Sequence, residues 1–233
     1  MAASWEGYAM SYQKNCFGDH IRESIVINTA RRPIYAELTD GKSDRVFNFL
    51  IATERLSLIP AAYYDFRAKA YQKKGVPLFC YEFMSMNATP DFDPENRQIP
   101  TERFSAFDWR FHKDRLNHAI AAKDAELVKE VSLQAIRALD GWPHYYCMLR
   151  HMIESVYRFA YFLPKQVEAA SAAGLKSPAN LSFEVMALQM LAIGSAYKID
   201  VWSAPIQAKG IPLLCSELPN LLSDLDLGEG EAH

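Results

Sequence analysis

The sequence from Pro143 to Gly174, PHYYCMLRHMIESVYRFAYFLPKQVEAASAAG, predicts the helix around which the rest of the chain is arranged. It opens with proline and closes with glycine, the residue types that favour a helix start and a helix end. At 100° per residue its apolar side chains share one face, as a core-facing helix requires. These side chains are Tyr145, Leu149, Met152, Ile153, Val156, Phe159, Ala160 and Leu163.

The opposite face of this helix is polar, and it carries the candidate functional residues His144, Cys147, His151, Glu154 and Arg158. One interpretation is a solvated face, stabilised by ion pairs four residues apart that join Glu154 to Arg150 and to Arg158. The other is a face that lines a cavity, because cysteine and Phe162 on the same side do not favour open water. The sequence leaves both interpretations open.

Composition and charge restrict the class of protein. The chain has 233 residues, of which 50% are hydrophobic, so it is long enough and apolar enough to bury a sizeable core. Its formal net charge of -3 comes from interspersed acidic and basic residues. We therefore predict a globular protein that does not bind nucleic acid, since it lacks a basic patch for a polyanion.

The cysteines and the apolar segments bear on where the protein resides. The four cysteines form no Cys-x-x-Cys pair, and the N-terminus has no basic segment followed by an apolar one. The longest uncharged apolar segment, 185–197, is shorter than the roughly 20 residues that a membrane span needs. The expectation is a reduced, cytoplasmic protein without a membrane span.

Apolar periodicity predicts helices through most of the chain and no β-hairpin. Helical spacing begins at His20, where Pro33 is expected to kink or split the element, and Ser43 is expected to cap the next helix. That helix, about 43–70 with a bend at Pro60, and the helix 178–199 are so apolar that we expect both to be buried nearly all round. Two further helices, one ending near Ile120 and one from Asp124, should form a hairpin that leads into the 143–174 helix.

These elements predict an all-α fold, a single compact bundle of seven or eight helices. Residues 1–19 form an aromatic N-terminal segment that should lie over the core, 20–227 form the helical domain, and 228–233 form a C-terminal tail. Three prolines between 87 and 100 indicate an extended surface connection, suited to a lid or a domain boundary.

Two parts of the chain resemble each other. GVPLFCYE from Gly75 matches GIPLLCSE from Gly210, and Asp65 and Asp200 each precede their glycine by ten residues. A weak internal duplication would produce this constant offset. The alternative is that Gly-x-Pro is a common helix stop followed by a core-filling apolar segment.

The pair His151 and Glu154 lies one helical turn apart and could supply catalytic groups or metal ligands. His144 is about 10 Å further along the axis, too far to bind the same ion, so other helices would have to contribute. The candidates are Glu54 and Glu184, isolated acids in the two apolar helices, because a buried carboxylate needs a cation, an arginine or a metal. His144, Cys147 and Arg158 would then contact the ligand.

Common catalytic motifs are absent from the sequence: it contains no Walker A loop, Gly-x-Gly-x-x-Gly, Gly-x-Ser-x-Gly or His-Glu-x-x-His. Two function classes remain. The first is a small-molecule-binding helical bundle, either a metal-dependent oxidative enzyme or a carrier of an apolar ligand, whose cofactor the sequence does not identify. The second is a non-catalytic helical scaffold or partner-binding protein. A homodimer is compatible with either.

Overall fold

A computed structural model describes residues 16–76, 109–140 and 147–207 of the chain. Within these ranges the structure contains six α-helices and no β-strand, so the predicted all-α class is confirmed. The helices are α1 (Cys16–Leu38), α2 (Asp44–Gln72), α3 (Trp109–Ala121), α4 (Ala125–Asp140), α5 (Cys147–Ala172) and α6 (Ala179–Gln207). The predicted 87–100 connection, the 228–233 tail and His144 lie outside the described residues, as does all but the end of the 1–19 segment.

Three glycines follow helices as the sequence predicts. Gly41, Gly75 and Gly174 have φ of 75°, 72° and 69°, the left-handed conformation that favours glycine at a helix C-terminus. After α5, the Leu175 N–H donates to the Ala170 carbonyl at 2.9 Å, which satisfies one of the unpaired carbonyls of the last turn. These residues stop the helices at the expected positions.

Two expectations about helix boundaries hold only in part: Ser43 stands at the N-cap position of α2 without a capping side-chain bond, and α1 is not split at Pro33. Ser43 does not cap α2 with its side chain, because its hydroxyl accepts from the Thr39 hydroxyl at 2.9 Å and its backbone is already helical. Pro33 does not split α1, which continues to Leu38, and α2 likewise continues through Pro60. Proline removes one backbone bond from a helix, and here the flanking turns and the tertiary packing outweigh that loss.

The helices form hairpins that pack side by side. In the first hairpin α1 is antiparallel to α2, since Asp65 contacts the start of α1 while Arg32 near its end pairs with Asp44 at 3.0 Å. In the second hairpin α5 packs on α6. Helices α2 and α6 pack on each other, and α3 and α4 contact only the second hairpin among the main helix contacts.

Helices α2 and α6 cross in an antiparallel arrangement. At one end Arg67 of α2 forms an ion pair with Glu184 of α6. At the other end the Phe49 and Trp202 rings meet edge to face, with centroids 5.1 Å apart. The two helices therefore join the hairpins along much of their length.

The apolar face predicted for α5 lies in the core. Buried side chains of this helix join the main hydrophobic cluster together with side chains from α2, α3, α4 and α6; from α5 they include Leu149, Ile153, Val156, Phe159, Ala160 and Leu163. Met152 of the predicted stripe is partly buried against the same cluster. A second, smaller cluster contains Tyr35, Val46, Phe47, Leu50, Ile199 and Ile206.

The expectation that α2 and α6 are buried nearly all round is wrong. Leu56 and Ile59 of α2 are 71% and 74% exposed, and Leu191 of α6 is 76% exposed. Each helix packs one broad face on its neighbours, and the apolar residues on the outer face meet no described helix that covers them. Apolar residues on all sides of a helix therefore do not determine how many of its sides other helices cover.

Candidate functional site

Two buried aspartates hold the starts of α1 and α5 in the same way. The Asp65 carboxylate accepts from the backbone N–H of Phe17 at 3.1 Å and of Gly18 at 2.8 Å. The Asp200 carboxylate accepts from the corresponding N–H groups at the start of α5, at 3.1 and 2.8 Å. In each hairpin a carboxylate from the second helix therefore caps the positive end of the first.

A second contact is repeated further along each hairpin. In the first hairpin the Ser24 hydroxyl donates to the Glu54 carboxylate. In the second hairpin the Ser155 hydroxyl accepts from the Gln189 side-chain amide. The contact joins the two helices of each hairpin about two turns from the start of the first helix.

The repeated contacts reveal a sequence pattern that the single-offset comparison missed. Residues 16–24 carry Cys-x-x-x-His-x-x-Glu-Ser, and residues 147–155 carry the same pattern 131 positions later. The second helices of the hairpins are offset by 135 positions instead. The second hairpin therefore has four more residues between Ser155 and Gln189 than the first has between Ser24 and Glu54. A comparison that allowed the offset to change between α1 and α2 would have detected both parts.

The α2–α6 crossing follows the same relation. At the offset of 135 residues, Arg67 of α2 is equivalent to Trp202 of α6, and Phe49 of α2 is equivalent to Glu184 of α6. The ion pair at one end of the crossing and the aromatic contact at the other therefore involve equivalent positions of the two hairpins. Along each helix the two contacts lie nine residues on either side of Leu58 and of Ile193.

Glu154 and Arg158, on the polar face of α5, are buried. Glu154 is 6% exposed and accepts from the Arg150 Nε at 2.7 Å, and Arg158 is 5% exposed. Burial lowers the pKa of the Arg158 guanidinium, and the charge of Glu154 opposes this shift. Ser155 and Gln189 are buried beside them, so the solvated-face interpretation is wrong for these two ionisable residues.

The remaining α5 candidates are placed only by their backbone. His151 occupies the turn before Glu154, and Cys147 is the first residue of the helix, whereas the side chains of both lie outside the described part of the chain. Their catalytic and ligand-binding roles, and that of His144, stay predictions.

Glu54 is half-buried between α1 and α2. Its Oε1 accepts from Ser24 and, at 2.8 Å, from the Asn28 amide, while its Oε2 has no hydrogen-bond partner among the described residues. Burial raises the pKa of the Glu54 carboxyl, and the two hydrogen bonds oppose this shift. Glu54 is therefore a partly buried carboxyl group whose Oε2 atom can still accept a hydrogen bond.

Glu184 has a different environment. It is exposed, and its carboxylate pairs with the Arg67 guanidinium, which also donates to the Tyr63 hydroxyl at 2.6 Å. Of the three partners expected for this acid, a cation, an arginine or a metal, the structure provides the arginine. Its role as a metal ligand stays a prediction.

Sequence reasoning did not select Asp65 and Asp200 as structural caps, nor Ser155 and Gln189 as part of the polar cluster. The signal was present for the aspartates, since both were noted at a constant distance from their glycine. Among the described side chains no three histidine, cysteine, aspartate or glutamate groups converge in a metal-binding arrangement. Within the same ranges, no helix combines the length and apolarity that crossing a membrane requires.

An open groove lies beside the second half of α5. It has a volume of about 750 Å³ and is lined mainly by apolar residues of α5 with Ala125 of α4, among them Leu163 and Val167. Its lining begins nine residues after Glu154, about 13 Å along the helix axis. The groove and the buried polar cluster are thus separate places on one helix.

No known protein family, curated protein or solved structure matches this chain. The geometry of its own residues therefore carries the functional argument.

Proposed function

We propose that the polar face of α5 binds a small molecule or a divalent metal ion within a helical bundle. The observation that carries the proposal is the burial of Glu154, which lies one turn after His151 on the same helix. Removing a carboxylate and a guanidinium from water is costly unless other groups compensate, and Arg150 supplies one compensating contact to Glu154 at 2.7 Å. A buried polar cluster in an apolar surrounding is the usual composition of a ligand site.

The proposed ligands are of two kinds. His151 and Glu154 combine an imidazole with a carboxylate, a donor set that suits iron, manganese or zinc. Glu54 and Glu184, predicted as additional ligands, do not converge with Glu154 in the described part of the chain, so further ligands would have to come from other residues. With a redox-active metal this site would belong to an oxidative enzyme. Cys147, Arg158 and His144 would contact the organic ligand or substrate.

We infer further that the two hairpins derive from one duplicated unit. The matched aspartate caps, the matched serine contacts and the equivalent ends of the α2–α6 crossing support this inference. It assigns to α1 a second His-x-x-Glu pair, His20 and Glu23, equivalent to His151 and Glu154 of α5.

The duplicated pattern limits the type of metal site. Helical di-iron proteins use two Glu-x-x-His pairs and two further glutamates. Here both pairs have the reverse order, and the position equivalent to Glu54 is Gln189, whose neutral amide is a weaker ligand than a carboxylate. The chain therefore fits two unequal sites better than one symmetric di-metal centre.

The proposal is tested by metal content and by titration with Fe(II), Mn(II) and Zn(II). We expect about one metal per binding site and a loss of at least about tenfold in affinity for His151→Ala and for Glu154→Gln. His118→Ala is the matched control, because His118 is an exposed histidine on α3. Equal loss in the control, or no uptake of any of these metals, would contradict a metal at His151.

The alternative function is a non-catalytic scaffold or partner-binding protein, and a specific observation favours it. The outer face of α2 exposes large apolar side chains, including Leu56 and Phe66, and exposed apolar surface marks interaction sites. A protein that binds no metal or chromophore, and whose Glu154→Gln variant changes only stability, would support this alternative.

A further inference from the structure

The outer face of α2 carries a regular apolar seam. Its members alternate spacings of four and three residues, which is the 3.5-residue period of a coiled-coil contact face; they are Ala52, Leu56, Ile59, Tyr63, Phe66 and Ala70. All six are exposed, with Phe66 74% exposed. We call these residues the outer seam of α2. It is about 27 Å long, enough to accommodate another helix.

The charges beside the outer seam are basic. Arg55 and Lys69 are exposed along its edges, whereas Arg67 already pairs with Glu184. Two copies of the seam packed on each other would bring basic residues together in either orientation, which disfavours a second copy as the occupant. An acidic amphipathic helix is the complementary partner.

The chain contains a segment with this character. Within SELPNLLSDLDLG, residues 216–228, the leucines at 218, 221, 222 and 225 recur at helical spacing, with a proline at 219 near the start and a glycine at the end. The segment 217–227 contains three acidic residues and no lysine or arginine. Residues 217–227 lie outside the described residues, and we propose that they dock on the outer seam of α2 as an amphipathic helix.

The connection to this segment is long enough. Trp202 lies beside Phe49, so α6 ends near the start of α2. From the start of α2 the outer seam begins about 12 Å and ends about 39 Å along the helix. The ten residues between Gln207 and Leu218 span up to about 36 Å when extended, so one chain can cover its own seam.

This proposal is independent of ligand binding by α5. If it holds, the exposed apolar face of α2 is closed by the chain itself, and an external partner has to displace residues 217–227. A scaffold function that requires a permanently open apolar surface on α2 is therefore incompatible with this docking.

Photo-crosslinking in the full chain tests the proposal. Phe66→p-benzoylphenylalanine places the reactive group on the outer seam, and Phe111→p-benzoylphenylalanine is the matched control at an exposed phenylalanine of α3. Irradiating a mixture of ¹⁴N- and ¹⁵N-labelled chains and mapping the products by mass spectrometry separates crosslinks within one chain from those between chains. We expect crosslinks from position 66 to 217–227 within one chain, several-fold above the control.

Variants of the segment identify the forces involved. Combining Leu221→Asp with Leu225→Asp should lower the crosslink yield by roughly tenfold, because buried leucines supply most of the contact, whereas Asn220→Asp should leave it unchanged. Crosslinks mainly between chains would overturn the proposal in favour of a second copy. Crosslinks to residues 1–15 or 77–108 instead, or none to 217–227, would also overturn it.

Discussion

The two hairpins show what the same structural unit becomes in two surroundings. The second hairpin is covered by α3 and α4, and the polar residues Glu154 and Arg158 of its first helix are buried. The first hairpin has no such cover among the described helices, and its α1 exposes Val26 and Leu38. Repeated contacts set the geometry of each hairpin, and the neighbouring helices determine which side chains lose water.

The largest expected effect separates inner from outer positions of the hairpins. Leu50→Ala should lower the free energy of unfolding by about 2 to 5 kcal/mol, because a 2% exposed leucine leaves a cavity when truncated. Leu191→Ala should change it by no more than about 0.5 kcal/mol, because that side chain is exposed. Denaturant unfolding of both variants measures the difference, and equal losses would show that the outer face of α6 is covered.

The aspartate caps give the next largest effect. Asp200→Ala should cost about 2 to 3 kcal/mol, since it removes two charge-assisted hydrogen bonds to buried backbone N–H groups. Asp65→Ala should cost about as much, since its carboxylate accepts from the equivalent two backbone N–H groups at the same distances.

The conservative variants Asp200→Asn and Asp65→Asn retain one acceptor oxygen and should lose only part of that stability. Unfolding by urea, followed by far-ultraviolet circular dichroism, measures all four variants. An unchanged free energy of unfolding in either alanine variant would contradict the capping role of that aspartate.

The smallest effect concerns the position where the hairpins differ, Glu54 against Gln189. Because burial raises the folded-state pKa of Glu54 above its usual 4.5, the folded state binds the proton more tightly than the unfolded state. The stability from this group is present below pH 4.5 and is lost as pH rises through the folded pKa. Glu54→Gln should remove this loss, an effect below about 1 kcal/mol because the group is partly exposed.

Stability curves from pH 4 to 8 for Glu54→Gln and the unmodified chain measure this difference. Asp65 also has a raised pKa, so part of the slope should persist in the variant. A parallel pair of curves would show that Glu54 does not titrate differently in the two states.

The sequence predicted the helices and their ends better than it predicted which helix faces are buried. Glycines at 41, 75 and 174 marked helix ends, and the period of α5 identified its core face, because both depend on local geometry. Exposure of Leu56 and Leu191 could not be read in the same way, since apolar side chains on all sides do not indicate which side another helix covers.

The candidate site was predicted in part. Glu154 and Arg158 were selected from their spacing, and their burial depends on packing against other helices, which is not a local property. The match of His20 and Glu23 to His151 and Glu154 was hidden by a four-residue change in offset between the helices of a hairpin. The Glu184 ion pair required knowing that α2 lies antiparallel to α6.

The two ends of the α2–α6 crossing are held by different kinds of contact, and the two kinds respond differently to dissolved salt. One end is held by the solvent-exposed ions Arg67 and Glu184, whose attraction dissolved salt screens. The other is held by the Phe49 and Trp202 rings, which salt does not weaken in this way. Rising ionic strength therefore weakens the Arg67 contact and leaves the ring contact in place, while the buried Tyr64 and Ala68 keep this part of α2 in the core.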